Sequence, residues 1–172
     1  MADIGIFYGS DTGHTEEVAQ MLQELFSTAK ADLFDVRKVS DISILNNYKL
    51  LIFGTPTWYL GELQGDMEDF KDKIASMDFA GRTIALFGLG DQIEYSDYYL
   101  DAMGMLYHFF AEKNAKIVGF WPTEGYNFSS VLALGDNIDK FVGLALDADN
   151  QPDETPTRVA TWCEQLHNET GI

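Results

Sequence analysis

Cysteine is nearly missing: Cys163 stands alone among 172 residues. A single thiol excludes an intramolecular disulfide framework and any cysteine-held iron–sulfur or metal centre. It falls in an apolar stripe with Val159, Trp162 and Leu166, so inert packing in a helix is expected of it. Positive charge is scarce too. Eleven Lys and Arg face 28 Asp and Glu, for a net charge of −17. Nucleic acid and anionic membranes would repel such a chain. Basic protein partners suit it, although acidity also serves solubility alone. No apolar run is long enough to span a bilayer. Met1-Ala2-Asp3 leads straight into a strand without a secretory leader, so a cytoplasmic location is expected. Gly-x-x-x-x-Gly-Lys-Ser/Thr and Gly-x-Gly-x-x-Gly are both missing, which argues against a nucleoside triphosphate or dinucleotide site.

At 46% hydrophobic and 13% aromatic, the chain is not disordered, and 172 residues are most simply one domain spanning 1–172. Its most informative stretch is Ser10-Asp11-Thr12-Gly13-His14-Thr15. An apolar run, Ile4 to Tyr8, precedes it. Val18, Met21, Leu22, Leu25, Phe26 and Ala29 then recur at helical spacing. A strand therefore ends, a hydroxyl-rich turn follows, and a helix starts. The free N–H groups and dipole of a helix start attract an anion, most naturally a phosphate. Ser10, Thr12 and Thr15 add hydroxyl donors, and Gly13 permits close backbone approach. The loop holds no Lys or Arg, so a phosphate here is bound by N–H and O–H groups.

Further along, Leu33–Val36 reads as an edge strand, Asp41–Asn47 as a short helix and Leu50–Gly54 as a strand covered on both faces. Met67, Phe70 and Ile74 mark a third helix. Thr83–Leu89 is another buried strand. Leu100, Met103, Tyr107, Phe110 and Ala111 mark a fourth helix, Ile117–Phe120 a further strand, and Pro156 opens a fifth helix. Five strands alternating with five helices predict an α/β doubly wound parallel sheet with helices on both faces. Residues 121–140 lack periodicity, and apolar residues resume at Phe141–Leu146. The last strand is thus expected to be split by an inserted loop of functional or partner-binding use.

Ligands of such sheets bind beyond the carboxyl ends of the strands. Three loops leave those ends: 10–15, 55–62 and 90–98. The second carries Trp58 and the third Tyr95, so a flat aromatic ligand between two rings is expected beside the phosphate site.

Together these residues resemble the flavodoxin family, long-chain type, over essentially the whole chain. The matching segments are Ser10-Asp11-Thr12-Gly13-His14-Thr15, Pro56-Thr57-Trp58-Tyr59 with Gly61, Gly90-Asp91-Gln92 with Tyr95, Trp121-Pro122-Thr123 with Gly125-Tyr126, and Phe141-Val142-Gly143-Leu144 with Asp147. The resemblance implies a flavodoxin-like three-layer α/β/α fold with strand order 2-1-3-4-5, noncovalent FMN, no metal, and service as a monomeric low-potential electron carrier rather than an enzyme. By it, residues 10–15 hold the phosphate and Trp58 and Tyr95 flank the isoalloxazine. Pro56, Tyr59, Leu60, Gly61 and Asp97 belong to the cofactor loops. N–H groups around Gly90 and Asp91 face the pyrimidine edge, and Thr57 and Asp147 reach the ribityl chain. A backbone carbonyl of Tyr59 or Leu60 turns toward the flavin N5. His14 and Glu94 depart from common forms of the motif, and His14 is expected to point to solvent.

The acids Asp91, Glu94, Asp97, Glu62 and Asp66, with no nearby cation, disfavour further negative charge on a bound flavin and so imply a low potential. Acids dominate residues 62–72 and 91–101, the expected docking face. The implied partners are basic redox proteins: a ferredoxin/flavodoxin–NADP reductase, and low-potential enzymes such as pyruvate oxidoreductase, radical-SAM systems or nitrogenase. The alternative, an FMN-dependent NAD(P)H:quinone reductase, needs one ring face open for a nicotinamide. A response-regulator-like domain shares the architecture but needs clustered acids after the first strand and a Lys after the last, neither of which is evident. His108 and His167 have no assembled partners, and Asp147-x-Asp149 lacks the Gly of a calcium loop.

Overall fold

A computed structural model describes residues 2–172. Nine strands and four α-helices are present among them: β1 (Ile4–Tyr8), α1 (His14–Leu25), β2 (Ala31–Asp35), β3 (Leu50–Trp58), β4 (Glu62–Leu63), α2 (Gly65–Lys73), β5 (Thr83–Leu89), α3 (Asp101–Glu112), β6 (Lys116–Val118), β7 (Trp121–Pro122), β8 (Lys140–Phe141), β9 (Leu144–Leu146) and α4 (Thr155–Thr170). The parallel core runs β2-β1-β3-β5, with β6 beyond β5 and β9 also paired to β5. β6 pairs with Thr83–Ala85 and β9 with Phe87–Leu89. The two pieces are halves of one fifth strand, so the order is the expected 2-1-3-4-5. The segment between them carries the small antiparallel β7–β8 pair.

Alternation along the central strands sends side chains to two separate cores. Phe7, Leu51, Phe53, Ile84 and Leu86 pack with Met67 and Phe70 of α2 and Met103, Leu106 and Phe110 of α3. Ile4, Ile6, Ile52, Ala85 and Phe87 pack on the opposite face with Val18 and Leu22 of α1 and Val159, Trp162 and Leu166 of α4. Both faces of the sheet are covered, which is why its strands read as unbroken apolar runs. Gly54 is required by this packing, because a Cβ there would lie 1.9 Å from the Phe87 ring.

Several elements differ from expectation: β3 runs on to Trp58 through residues read as loop, and β6 is Lys116–Val118, ending before Phe120. Residues Ile42–Asn47 form a 3-10 helix, not an α-helix, leaving four α-helices instead of five. The segment is short, and Asp41 uses its side chain to receive the Ser43 N–H (2.9 Å), which caps the first of its two tight turns. α1 begins at His14, before the first periodic residue Val18, on a turn that Gly13 forms in a left-handed conformation (φ 95°), and it ends at Leu25, short of the expected Ala29. Cys163 is buried among the α4 packing residues, and burial pushes its thiol up to about 12.

A cleft at the carboxyl ends of the strands

The three loops expected to carry chemistry meet at one cleft of about 390 Å³. Thr12, His14 and Thr15 line it from the first loop, and Pro56, Thr57, Trp58 and Tyr59 from the second. Leu89, Gly90, Asp91, Glu94, Tyr95, Tyr98 and Tyr99 line it from the third, with Ala148 and Asp149 after β9.

The first loop leaves backbone donors unpaired. Ser10 Oγ accepts the Gly13 N–H (3.1 Å) and shapes the turn. No protein acceptor among the described residues meets the N–H groups of Thr12, which precedes the cap, or of His14 and Thr15, which open the first turn of α1. His14 is exposed and lines the cleft, so it is not directed only to solvent. Asp11 does not line it: its Oδ1 accepts the Gln64 amide (3.0 Å), whose own Oε1 caps α2 at Met67 N–H (2.9 Å).

In the second loop, β3 and β4 form a short hairpin pairing Thr57 with Leu63 and Trp58 with Glu62. Its turn, Tyr59-Leu60-Gly61, holds Tyr59 at φ 43° and Gly61 at φ 90°. Leu60 does not line the cleft and is 68% exposed, while Gly61 packs against Asp101. Thr57 Oγ1 and Trp58 Nε1 are buried with no hydrogen-bond partner. Buried polar atoms left unpaired are costly, and here both lie beside an open cleft, where a ligand with polar groups would satisfy them.

The third loop brings Tyr95 into the same cleft as Trp58. Gly90 departs from expectation: its N–H donates to Leu146 O (3.2 Å) and is not free for a ligand. The next N–H, that of Asp91, has no protein acceptor among the described residues. Partial burial alone would raise the Asp91 carboxyl. The N–H groups of Glu94 and Ile93 and the Asn150 amide outweigh it and hold the group below the usual carboxylate range. Asp97 lies outside the cleft, receiving the Ser129 hydroxyl. Asp147 is also outside it, fully buried and occupied by internal donors. Tyr99 closes the base, its hydroxyl donating to Leu146 O (3.1 Å), and burial pushes that phenol far above its usual value.

Leu89, Tyr98, Tyr99, Ala148 and Asp149 line the cleft without having been singled out as site residues. A signal existed for the tyrosines, which follow Tyr95 at a spacing of three and four in an acidic, aromatic loop. None existed for Ala148 and Asp149. No Lys or Arg lines the cleft, whereas Asp91, Glu94 and Asp149 do. The donor set therefore fits a planar phosphorylated group. The N–H and hydroxyl donors of the first loop, the Trp58 and Tyr95 rings, and the residues that carry the unpaired Thr57 Oγ1 and Trp58 Nε1 share one cleft.

The fold and this cleft define an electron-transfer flavoprotein. A family model described as Flavodoxin matches residues 6–162. The chain is 46% identical over 173 residues to a flavodoxin of Synechococcus elongatus, covering 100% of both chains. It is 46% identical over 172 residues to flavodoxin 1 of Escherichia coli K12, covering 100% of this chain and 97% of that one. Among solved structures, Fusobacterium nucleatum flavodoxin bound to flavin mononucleotide superposes with a TM-score of 0.90 at 31% identity, over 98% of this chain and 99% of that one. The chain belongs to the flavodoxin family, whose members carry electrons between redox partners.

Proposed function

We propose that the cleft holds FMN noncovalently and that the protein passes single electrons between redox proteins. The observation that carries this reading is the meeting of Trp58, Tyr95 and the unpaired Thr57 Oγ1 and Trp58 Nε1 in one cation-free cleft beneath the 10–15 turn. FMN supplies the redox chemistry. The chain supplies binding, orientation and field.

The N–H groups of Thr12, His14 and Thr15, with the hydroxyls of Thr12 and Thr15, receive the phosphate at the positive end of α1. Ser10 and Gly13 shape that turn. The Thr57 hydroxyl and Trp58 indole N–H find partners on the bound molecule. Asp91 offers its N–H to the ring edge. Trp58 and Tyr95 cover the ring faces, which excludes a second planar ring from stacking there. That disfavours direct hydride exchange with a nicotinamide and with it the quinone-reductase alternative. Asp91, Glu94 and Asp149 oppose added negative charge in the cleft, which lowers the potential at which the site accepts its last electron.

The partners this surface fits are basic redox proteins, of which a ferredoxin/flavodoxin–NADP reductase and low-potential oxidoreductases are the best matched. No helix among the described residues is long and apolar enough to cross a membrane. A monomer working in the cytoplasm agrees with these features. The test is an absorption spectrum of the purified protein, followed by acid extraction. Flavin bands released as FMN support the reading. A colourless protein that takes up no added FMN rejects it. Rapid bleaching by NADPH alone would favour the reductase instead.

A further inference from the structure

Asp147 does not line the cleft. It is fully buried, directly before Ala148 and Asp149, which line the cleft. Five N–H groups converge on its carboxylate. Oδ1 accepts the backbone N–H of Asp149 (3.1 Å) and Asn150 (2.9 Å). Oδ2 accepts the Gln92 backbone N–H (3.1 Å), the Gln92 amide (2.9 Å) and the Asn150 amide (2.9 Å). None of these donors belongs to a Lys or Arg. A buried carboxylate answered only by neutral donors needs every one of them, so the segments supplying them are tied to it.

Those segments are the loop after β5 and the turn after β9. A second thread joins the same two. The Asn150 amide also donates to Asp91 Oδ1 (2.8 Å), an oxygen that takes the Ile93 and Glu94 N–H groups as well (both 2.9 Å). The Gln92 amide donates further to Gln151 Oε1 (2.9 Å). Asp91 and Gln92 are therefore both fastened from behind. The cleft side of the loop, with the Asp91 N–H and the Tyr95 ring, is left free.

We propose that Asp147 is a positioning residue. Through Gln92 and Asn150 it holds the loop from Gly90 to Tyr95 in its flavin-receiving shape before the cofactor arrives, so that binding need not order that loop. The inference rests on the FMN reading of the cleft and deepens it. It assigns the carboxylate to the protein's own backbone, not to the ribityl chain.

The test uses the apoprotein, with FMN and riboflavin as probes and flavin fluorescence quenching as readout. Asp147→Asn keeps the volume but turns an NH2 toward donors. Affinity for both flavins should fall by about tenfold or more. The ratio of FMN to riboflavin affinity should stay at the wild-type value, because the phosphate turn is untouched. Asn150→Ala, at an exposed position, cuts the contacts to both Asp147 and Asp91 and should weaken both flavins in the same proportion, by a smaller factor. A folded Asp147→Asn variant with wild-type affinity overturns the proposal, as does one that loses FMN while keeping riboflavin. If that variant does not fold, unchanged affinities in Asn150→Ala overturn it. Wild-type protein that binds neither flavin rejects the FMN site itself.

Discussion

Gly61 is pressed against Asp101: a Cβ on Gly61 would lie 2.8 Å from Asp101 Oδ2. The same glycine sits at φ 90°, closing the turn that follows Trp58. Gly61→Ala therefore meets two penalties, a left-handed backbone costing about 1–2 kcal/mol and a steric one. The turn should shift and carry Trp58 with it. A lower urea midpoint and weaker FMN binding are expected. Asp101→Ala in the same chain should recover only part of the loss, because it relieves the clash and leaves φ as it is.

Two residues earlier the strain already exists. Tyr59 holds φ 43° although it is neither Gly nor Asn, and it is 71% exposed. Little burial is lost by replacing it. Tyr59→Asn should raise apoprotein stability by about 0.5–1 kcal/mol, since Asn tolerates the left-handed region. Urea unfolding of the apoprotein measures this directly. Equal or lower stability would show that the turn carries no strain at Tyr59.

The alternation of strands and helices was legible because both faces of the sheet are covered. Leu50–Phe53 and Ile84–Leu89 are unbroken apolar runs for that reason. The split fifth strand was legible only as an interruption, since its halves are three residues each and only their shared partner β5 makes them one strand. The three ligand loops were legible from hydroxyls, Gly and rings placed at strand ends. What was not legible is which way a polar group faces. Asp147 and Asp149 differ by two positions, yet only Asp149 lines the cleft. Gly90 and Asp91 are neighbours, but the first N–H is consumed by Leu146. Such orientation is set by contacts some 55 residues distant in sequence, as between Gln92 and Asp147, and no local pattern encodes it.

Asp91 and Asp101 should give opposite pH dependences. Hydrogen bonds hold Asp91 below the usual carboxylate value despite its partial burial. Its contribution to stability is present above the unfolded-state value of about 3.9 and is lost as pH falls through the lower folded value. Burial raises Asp101, only partly countered by the Ser130 hydroxyl. Its favourable contribution is present in acid and is lost as pH rises through the raised folded value. Asp91→Asn should thus be least stable relative to wild type at neutral pH. Asp101→Asn should be relatively most stable there. Unfolding free energies between pH 3 and 7 separate the two, and slopes of the same sign would contradict this assignment.

Exposed acids lie on the loops that form the cleft: Glu62 after the turn that follows Trp58, and Glu94 and Asp97 in the loop after β5. If these steer a basic partner, association should slow as salt shortens the Debye length from about 10 Å at 0.1 M to about 3 Å at 1 M. Stopped-flow reduction by a basic ferredoxin/flavodoxin–NADP reductase should show a second-order rate falling with ionic strength. Glu94→Gln with Asp97→Asn should flatten that dependence. A rate indifferent to salt would place docking elsewhere.

The phosphate turn makes the sharpest demand on the reading of the cleft. Thr12 is exposed, lines the cleft and is not used to hold the fold together. Thr12→Val keeps its shape and removes one hydroxyl donor. Because the turn contains no Lys or Arg, each hydrogen bond to a phosphate carries a large share of its binding, about 1.5–3 kcal/mol for a charged acceptor. FMN affinity should therefore fall by about tenfold or more, while riboflavin, which has no phosphate, should bind as it does to wild type. Equal losses for the two flavins would mean that Thr12 acts on the ring loops instead, and the assignment of residues 10–15 to the phosphate would have to be given up.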